Sequence, residues 1–186
     1  MTEANVNPAS DVQQKPLIQV RPYHPEDREQ VHKIFVAALT AHTETNGNKE
    51  FWLRYIDNGL KTDIGDIEGT YFASGGQFWV ATTVVDQREL VIGTVGLEFK
   101  PDNEAELRRM FVTPEYQRSG AGRLLVNSLE EFAQQNEIVR VWLTTGLMMT
   151  RAQKFYQSLG FKHTKTTAVS PDHSLVQVCH YEKRYN

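Results

Sequence analysis

"EAELRRMFVTPEYQRSGAGRLL", residues 104–125, runs from a strand-like stretch through a proline to two glycines two positions apart, and then into Leu-Leu. Beyond it, Leu124, Leu125, Ser128, Leu129 and Phe132 recur at the spacing of one helix face, so the segment reads as strand, turn and helix. A turn of this kind points unbonded backbone N–H groups outward at a helix N-terminus, where the aligned peptide dipoles favour negative charge. An anion such as pyrophosphate suits that position. Gly120 and Gly122 leave room for a ligand to approach the backbone, and Arg118 and Arg123 add charge at the edge. A tight turn that needs glycine only for its shape fits the same letters. The pattern Gln/Arg-x-x-Gly-x-Gly/Ala arises by chance in about one chain in five of this length at average residue usage, so the flanking elements have to decide between the two.

The strand itself carries a second signal. Leu107, Met110 and Val112 are its inward residues, and they break the period of two that a strand imposes. One extra residue at Arg108-Arg109, a β-bulge, restores the period and frees backbone groups.

Working outward, "LIQVRPYHPEDREQVHKIFVAAL" (17–39) predicts a short strand, a turn at Pro22 and Pro25, and a helix with Val31, Ile34, Phe35 and Ala38 on one side. "NKEFWLRYIDNGLK" (48–61) predicts a second helix with Phe51, Trp52, Tyr55 and Ile56 along one side, and "DIEGTYFASGG" (66–76) a third, short one ended by its glycines. "QFWVATTVV" (77–85) and "LVIGTVGLEFK" (90–100) form an antiparallel hairpin around "DQRE". After the opening segment come a strand at 138–145, a helix over "TRAQKFYQSLGF" (150–161) closed by Gly160, and a terminal strand pair around "PDH" (171–173). Strand, helix, strand across 105–145 is a parallel crossover. The fold class is therefore mixed α/β (α+β): a mostly antiparallel sheet of six to seven strands with helices on both faces.

At 186 residues, with no internal repeat, one domain over residues 17–186 is expected, preceded by a disordered tail over residues 1–16. A net charge of −3 gives no electrostatic ground for a nucleic-acid partner. The single cysteine, Cys179, excludes an internal disulfide and a zinc-thiolate cluster and points to a reducing, cytoplasmic setting. No stretch approaches the ~20 apolar residues that span a bilayer, so no membrane partner is expected. The histidines lack metal spacing, and no metal is expected. Cys179 and His180, neighbours on a strand, face opposite sides and make no nucleophile-base pair. Trp52, Tyr55, Tyr71 and Trp79 suit either a pocket wall or the core.

The segment with Gln117, Gly120 and Gly122 resembles the coenzyme A pyrophosphate loop of the GNAT superfamily N-acetyltransferases. The resemblance extends from about Leu17 to Tyr181 and takes in the opening strand and helix, the hairpin and the "KFYQSLGF" helix (154–161). Within the superfamily, "DIEGTYFASGGQFWVA" (66–81) and "TTGLMMTRAQKFYQSLGF" (144–161) look closest to the camello-like branch, whose animal members carry a membrane-anchoring segment that no stretch here matches. The resemblance implies a bulged fourth strand that splays from a parallel fifth, with acetyl-CoA as cosubstrate and its pantetheine arm in the gap. Cofactor contacts would then fall on Met110, Phe111, Val112, Gln117, Arg118, Ser119, Gly120, Ala121, Gly122, Arg123 and Tyr156. It further implies Glu106 as general base, the Met110 N–H as the donor to the acetyl oxygen, and Tyr156 as the group that protonates the sulfur. A surface glutamate beside Arg108 and Arg109 and a core tyrosine are the plainer readings of Glu106 and Tyr156. Met149 stands where many members have an asparagine that contacts the pantetheine arm.

The expected activity is direct acetyl transfer to a primary amine of a small molecule, peptide or protein, by a monomer or homodimer. A non-catalytic acyl-CoA sensor is the alternative. A dinucleotide oxidoreductase fits less well, because Leu125 occupies the place of the third glycine of its fingerprint.

Overall fold

The computed structural model describes residues 16–45, 49–169 and 176–185. The expected disordered tail, Pro16 apart, lies outside the described residues. The chain order is β1 (Gln19–Pro22), α1 (Arg28–Thr45), α2 (Lys49–Lys61), β2 (Gln77–Val85), β3 (Arg88–Lys100), β4 (Glu104–Val112), α3 (Ala121–Gln135), β5 (Arg140–Gly146), α4 (Thr150–Ser158), β6 (Lys162–Ala168) and β7 (Gln177–Arg184). All seven strands join one sheet in the order β1-β2-β3-β4-β5-β7-β6. Only β4 and β5 run parallel, as the helical crossover through α3 requires.

The local chemistry explains most boundaries. Pro25 opens a single 3-10 turn ahead of α1, with His24 at its N-cap and the Asp27 carboxylate accepting the His24 N–H at 2.9 Å. The β2–β3 hairpin turns on Asp86 and Gln87, both at positive φ, which is the two-residue geometry that matches strand twist. Gly160, at φ +89, ends the last helical turn as the left-handed cap expected of it. The third short helix is a π-helical turn, Glu68–Phe72, and not a regular α-helix. At its start the Asp66 carboxylate folds back to accept the Gly69 N–H at 2.9 Å, occupying the space a Cβ at Gly69 would take.

Each face of the sheet carries its own core. Val31, Ile34, Phe35 and Leu39 of α1 pack with Ile56, Ile64, Ile67, Tyr71 and Phe78 on one face. Ala121, Leu125, Val126, Leu129 and Ala133 of α3 pack with Val95, Leu97, Ala105, Leu107 and Tyr156 on the other. A fully buried leucine such as Leu129 contributes about 1.5–3 kcal/mol through loss of apolar surface from water. The buried face of α3 is rotated from the one the sequence suggests: Leu124 is 41% exposed, while Val126 and Ala133 are fully buried. The edge strand β6 is exposed along its whole length, and its polar, lysine-bearing sequence suits an edge that must not recruit further strands.

Candidate functional site

The β4 strand carries the bulge the sequence pattern calls for. Its register against β3 shifts between Thr94 and Gly96, so that Arg109 and Met110 together oppose Val95. Arg109 takes φ +52, and its carbonyl accepts the Thr94 hydroxyl at 2.8 Å. Leu107, Met110 and Val112 consequently pack on the α3 side, while Phe111 meets Phe35 of α1 with ring centroids 6.0 Å apart. Beside Val95, Gly96 pairs with Arg108, and a Cβ there would stand 2.6 Å from the Tyr71 ring.

On its other side β4 pairs with β5 at only three positions, Glu104–Arg140, Ala105–Val141 and Glu106–Trp142. Beyond them the strands part. β5 instead remains bonded to β7 from Arg140 to Gly146. A cavity of about 370 Å³ occupies the opening, lined by Glu106 through Phe111 of β4, Thr144 through Gly146 at the end of β5 and Leu147 through Met149 after it, Ala152 and Tyr156 of α4, Phe51, Trp52 and Tyr55 of α2, and Val169, Val176 and Val178. Glu106, Met110 and Phe111 of β4 and Tyr156 of α4 are thus brought to one space from two segments of chain. Trp52 and Tyr55 stand on its wall, whereas Tyr71 and Trp79 are core residues.

Glu106 is partly exposed and lies 3.3 Å from the Lys100 ammonium and 4.0 Å from the Arg108 guanidinium. Tyr156 is buried against Phe161 and Tyr181, and its hydroxyl has no hydrogen-bond partner among the described residues. Burial alone raises that phenol above its ordinary value, so it stays protonated across the neutral range. Met149 occupies the N-cap position of α4 and the cavity wall, with the Thr145 hydroxyl 3.6 Å from its sulfur.

Val112 and Gln117 through Arg123 are not part of the lining but adjoin it. Gln117 donates to the Val112 carbonyl at 3.3 Å, tying the loop to the end of β4. Ser119 donates to the Tyr116 carbonyl at 2.6 Å and accepts the Ala121 N–H at 3.3 Å. Arg118 and Gly120 both have positive φ, +65 and +101, and the amides of Arg118, Gly120, Gly122 and Arg123 meet no acceptor among the described residues. Such alternation of backbone hands ahead of a helix gathers N–H groups into an anion-holding concavity. The two glycines differ in purpose. Gly120 answers a conformational need and faces open space, whereas a Cβ at Gly122 would stand 3.2 Å from the Met110 side chain and 3.3 Å from Phe155. Gly122 therefore lets α3 close on the cavity wall.

One residue behind the cavity wall was not legible in the sequence as part of the site. Asp63, in the turn after α2, accepts two hydrogen bonds from Arg109, each 2.7 Å long, and one from the Tyr71 hydroxyl at 2.7 Å. Its only trace was an acid set close to two isoleucines, Ile64 and Ile67, both of which are buried.

A sheet opened between parallel neighbours, with a bulge on one lip and unbonded amides at the adjoining helix terminus, defines a fold that receives an extended, anion-tipped ligand. The chain belongs to the acetyltransferase (GNAT) family, whose sequence pattern matches residues 28–161. The cosubstrate of that family is acetyl-CoA. Human N-acetyltransferase 8 is 35% identical over 122 residues, 62% of this chain and 52% of that protein. N-acetylaspartate synthetase of Xenopus tropicalis is 34% identical over 145 residues, 75% of this chain and 52% of that protein. The chain thus spans about half the length of these curated relatives, which belong to the camello-like branch that the sequence resembles. Among solved structures, a GNAT-family acetyltransferase from Staphylococcus aureus Mu50 covers 91% of this chain and 100% of its own, with a TM-score of 0.73 at 22% identity. PaiA N-acetyltransferase from Thermoplasma acidophilum, in complex with coenzyme A, covers 91% and 99% with a TM-score of 0.70 at 21% identity. At such identities the agreement is one of fold. No helix among the described residues is long and apolar enough to cross a membrane.

Proposed function

We propose that this chain is an acetyl-CoA-dependent N-acetyltransferase that moves the acetyl group directly from the thioester to a primary amine. The observation that carries the reading is the opening between β4 and β5, which leads from the unbonded amides ahead of α3 to a cavity shared by Glu106, Met110 and Tyr156. In this reading the amides from Arg118 to Arg123 hold the diphosphate, aided by the two arginine charges. The pantetheine arm lies against β4 where its ladder to β5 has ended.

The chemistry assigns each group one task. An alkyl amine of lysine type ionises at about 10.4, so it reaches the site mostly protonated, and Glu106 takes its proton directly or through water. The amine nitrogen then bonds to the thioester carbon, while the Met110 N–H, outside both strand ladders, donates to the oxygen as charge develops on it. When the carbon–sulfur bond breaks, Tyr156 donates to the departing sulfur. Thiols ionise near 8.5, so a buried phenol holds its proton more tightly than the thiolate does. Its contribution is a hydrogen bond to the developing charge; the bonded nitrogen sheds its second proton to solvent as the amide forms, and the thiolate takes up a proton from solvent or from the acid formed at Glu106. Residues 17–186 act as one domain in this reading, and the lone, buried Cys179 favours the reducing cytoplasm.

Incubation with acetyl-CoA and a panel of amines, with release of free coenzyme A as the signal, tests the proposal. Tight binding of acetyl-CoA without turnover on any amine would favour a sensor instead. Failure to bind acetyl-CoA would refute both.

A further inference from the structure

Arg109 is an unusual residue for the inside of a bulge. It holds a left-handed backbone conformation that costs an L-residue about 1–2 kcal/mol, and its side chain is only 5% exposed. Every nitrogen of the guanidinium is engaged. Nε and one Nη form the two 2.7 Å bonds to Asp63, and the other Nη donates to the Tyr55 hydroxyl at 3.0 Å. The guanidinium lies over two rings, 4.8 Å from the centroid of Phe35 and 5.0 Å from that of Tyr55. Gly59 of α2 completes the enclosure, since a Cβ there would fall 2.5 Å from Phe35 and 3.3 Å from Arg109. The charges facing this cluster are Arg108, 3.5 Å from Asp63, and through it Glu98 and Glu106. Burial pushes the Asp63 carboxyl up, but the bonds and charge of Arg109 outweigh it and leave the group below its ordinary value.

Stability alone does not account for this arrangement. A buried ion pair loses about as much in desolvation as it gains in attraction, and well-packed apolar residues of similar volume serve a core as well or better. A bidentate fork supplies something apolar contact cannot, a fixed orientation. The fork closes on the residue immediately before Met110. We infer that Asp63 and Arg109 are positioning residues: their ion pair holds the β4 bulge in the conformation that aims the Met110 amide into the cavity, and the Tyr55 hydroxyl carries that hold to α2 on the opposite wall. The inference rests on the role proposed above for Met110.

The decisive variant removes both charges together, Asp63→Leu with Arg109→Met, so that neither is left buried alone. Arg109→Lys, which keeps the charge and loses the fork, accompanies it. In the free protein, the three-bond NMR coupling between the α-proton of residue 109 and the carbonyl carbon of residue 108, which is large only at positive φ, reports whether the left-handed conformation persists. With acetyl-CoA, the Met110 amide shift, taken as the difference from coenzyme A, reports the bond to the acetyl oxygen. The double variant is expected to fold, lose the left-handed coupling and the Met110 shift, bind coenzyme A within about twofold of wild type, and lose about a hundredfold in kcat, the scale of a 1 Å misplacement. Arg109→Lys should fall between it and wild type. A double variant that keeps the coupling, or loses it and keeps kcat, overturns the inference. Coenzyme A affinity falling in step with kcat overturns it too, as the mark of a general structural role. Should the double variant not fold, Arg109→Lys decides by the same measurements. Wild-type protein inactive on every amine counts against acyl transfer, while the coupling at position 109 still decides whether the ion pair holds the bulge.

Discussion

Replacing Tyr156 by phenylalanine separates the proposed chemistry from the plainer reading of a core tyrosine, because the two predict opposite changes in two observables. The hydroxyl lies at the cavity and has no hydrogen-bond partner among the described residues. Deleting it therefore breaks nothing in the free protein. Stability should hold or rise by up to about 1 kcal/mol, the lower end of what a poorly satisfied buried polar group costs, which is a melting increase of about 2–4 °C for a domain of this size. Turnover should move the other way. A hydrogen bond to a charged acceptor is worth about 1.5–3 kcal/mol, and at about 1.4 kcal/mol per tenfold the chemical step should slow by between about 10- and 150-fold. Single-turnover release of coenzyme A from pre-bound acetyl-CoA, detected with a thiol reagent, isolates that step from product release. Acetyl-CoA affinity should stay the same. An unchanged single-turnover rate, or a melting temperature several degrees lower, would refute the reasoning and return Tyr156 to the core.

Three further tests address other parts of the site. Glu106→Gln should slow turnover at neutral pH by about 10²- to 10⁴-fold, with the deficit shrinking as pH approaches the pKa of the amine; a deficit independent of pH would mark Glu106 as positional. Gly120→Ala places a side chain at φ +101 and should destabilise by about 1 kcal/mol or more while weakening acetyl-CoA, read by calorimetry, because the amides ahead of α3 must shift. Asp63→Asn should cost about 3–5 kcal/mol at pH 7 by stranding the Arg109 charge. The folded-state pKa of Asp63 lies below its unfolded value, so its contribution is complete above about pH 5 and is lost as pH falls through the folded pKa. Denaturant melts of wild type and Asp63→Asn should therefore converge in acid and differ most near neutrality.

What the sequence made legible was local. Leu107, Met110 and Val112 marked the bulge because a strand's side chains alternate strictly, so one extra residue shows as a break in the pattern. Gly160 and the leucines of α3 marked helix boundaries for similar short-range reasons. Asp63 was invisible since its partner is 46 positions away and nothing near "TDIG" (62–65) distinguishes a buried acid from a turn acid. The face of α3 that buries Val126 and exposes Leu124 is set by tertiary packing, as is the close approach of Met110 and Phe155 that leaves little room for a side chain at Gly122. The extent of the opening was equally hidden, for it depends on pairing that stops at Glu106–Trp142.

The strand order has a consequence for biosynthesis. β7 follows β6 in the chain yet sits inside it, bonded to β5 along seven residue pairs from Arg140–Arg184 to Gly146–Val178. Until β7 leaves the ribosome, β5 holds β4 at three positions and offers its other edge to any passing strand. A chain that stops after Ala168 keeps that edge bare, and should self-associate where the full chain does not.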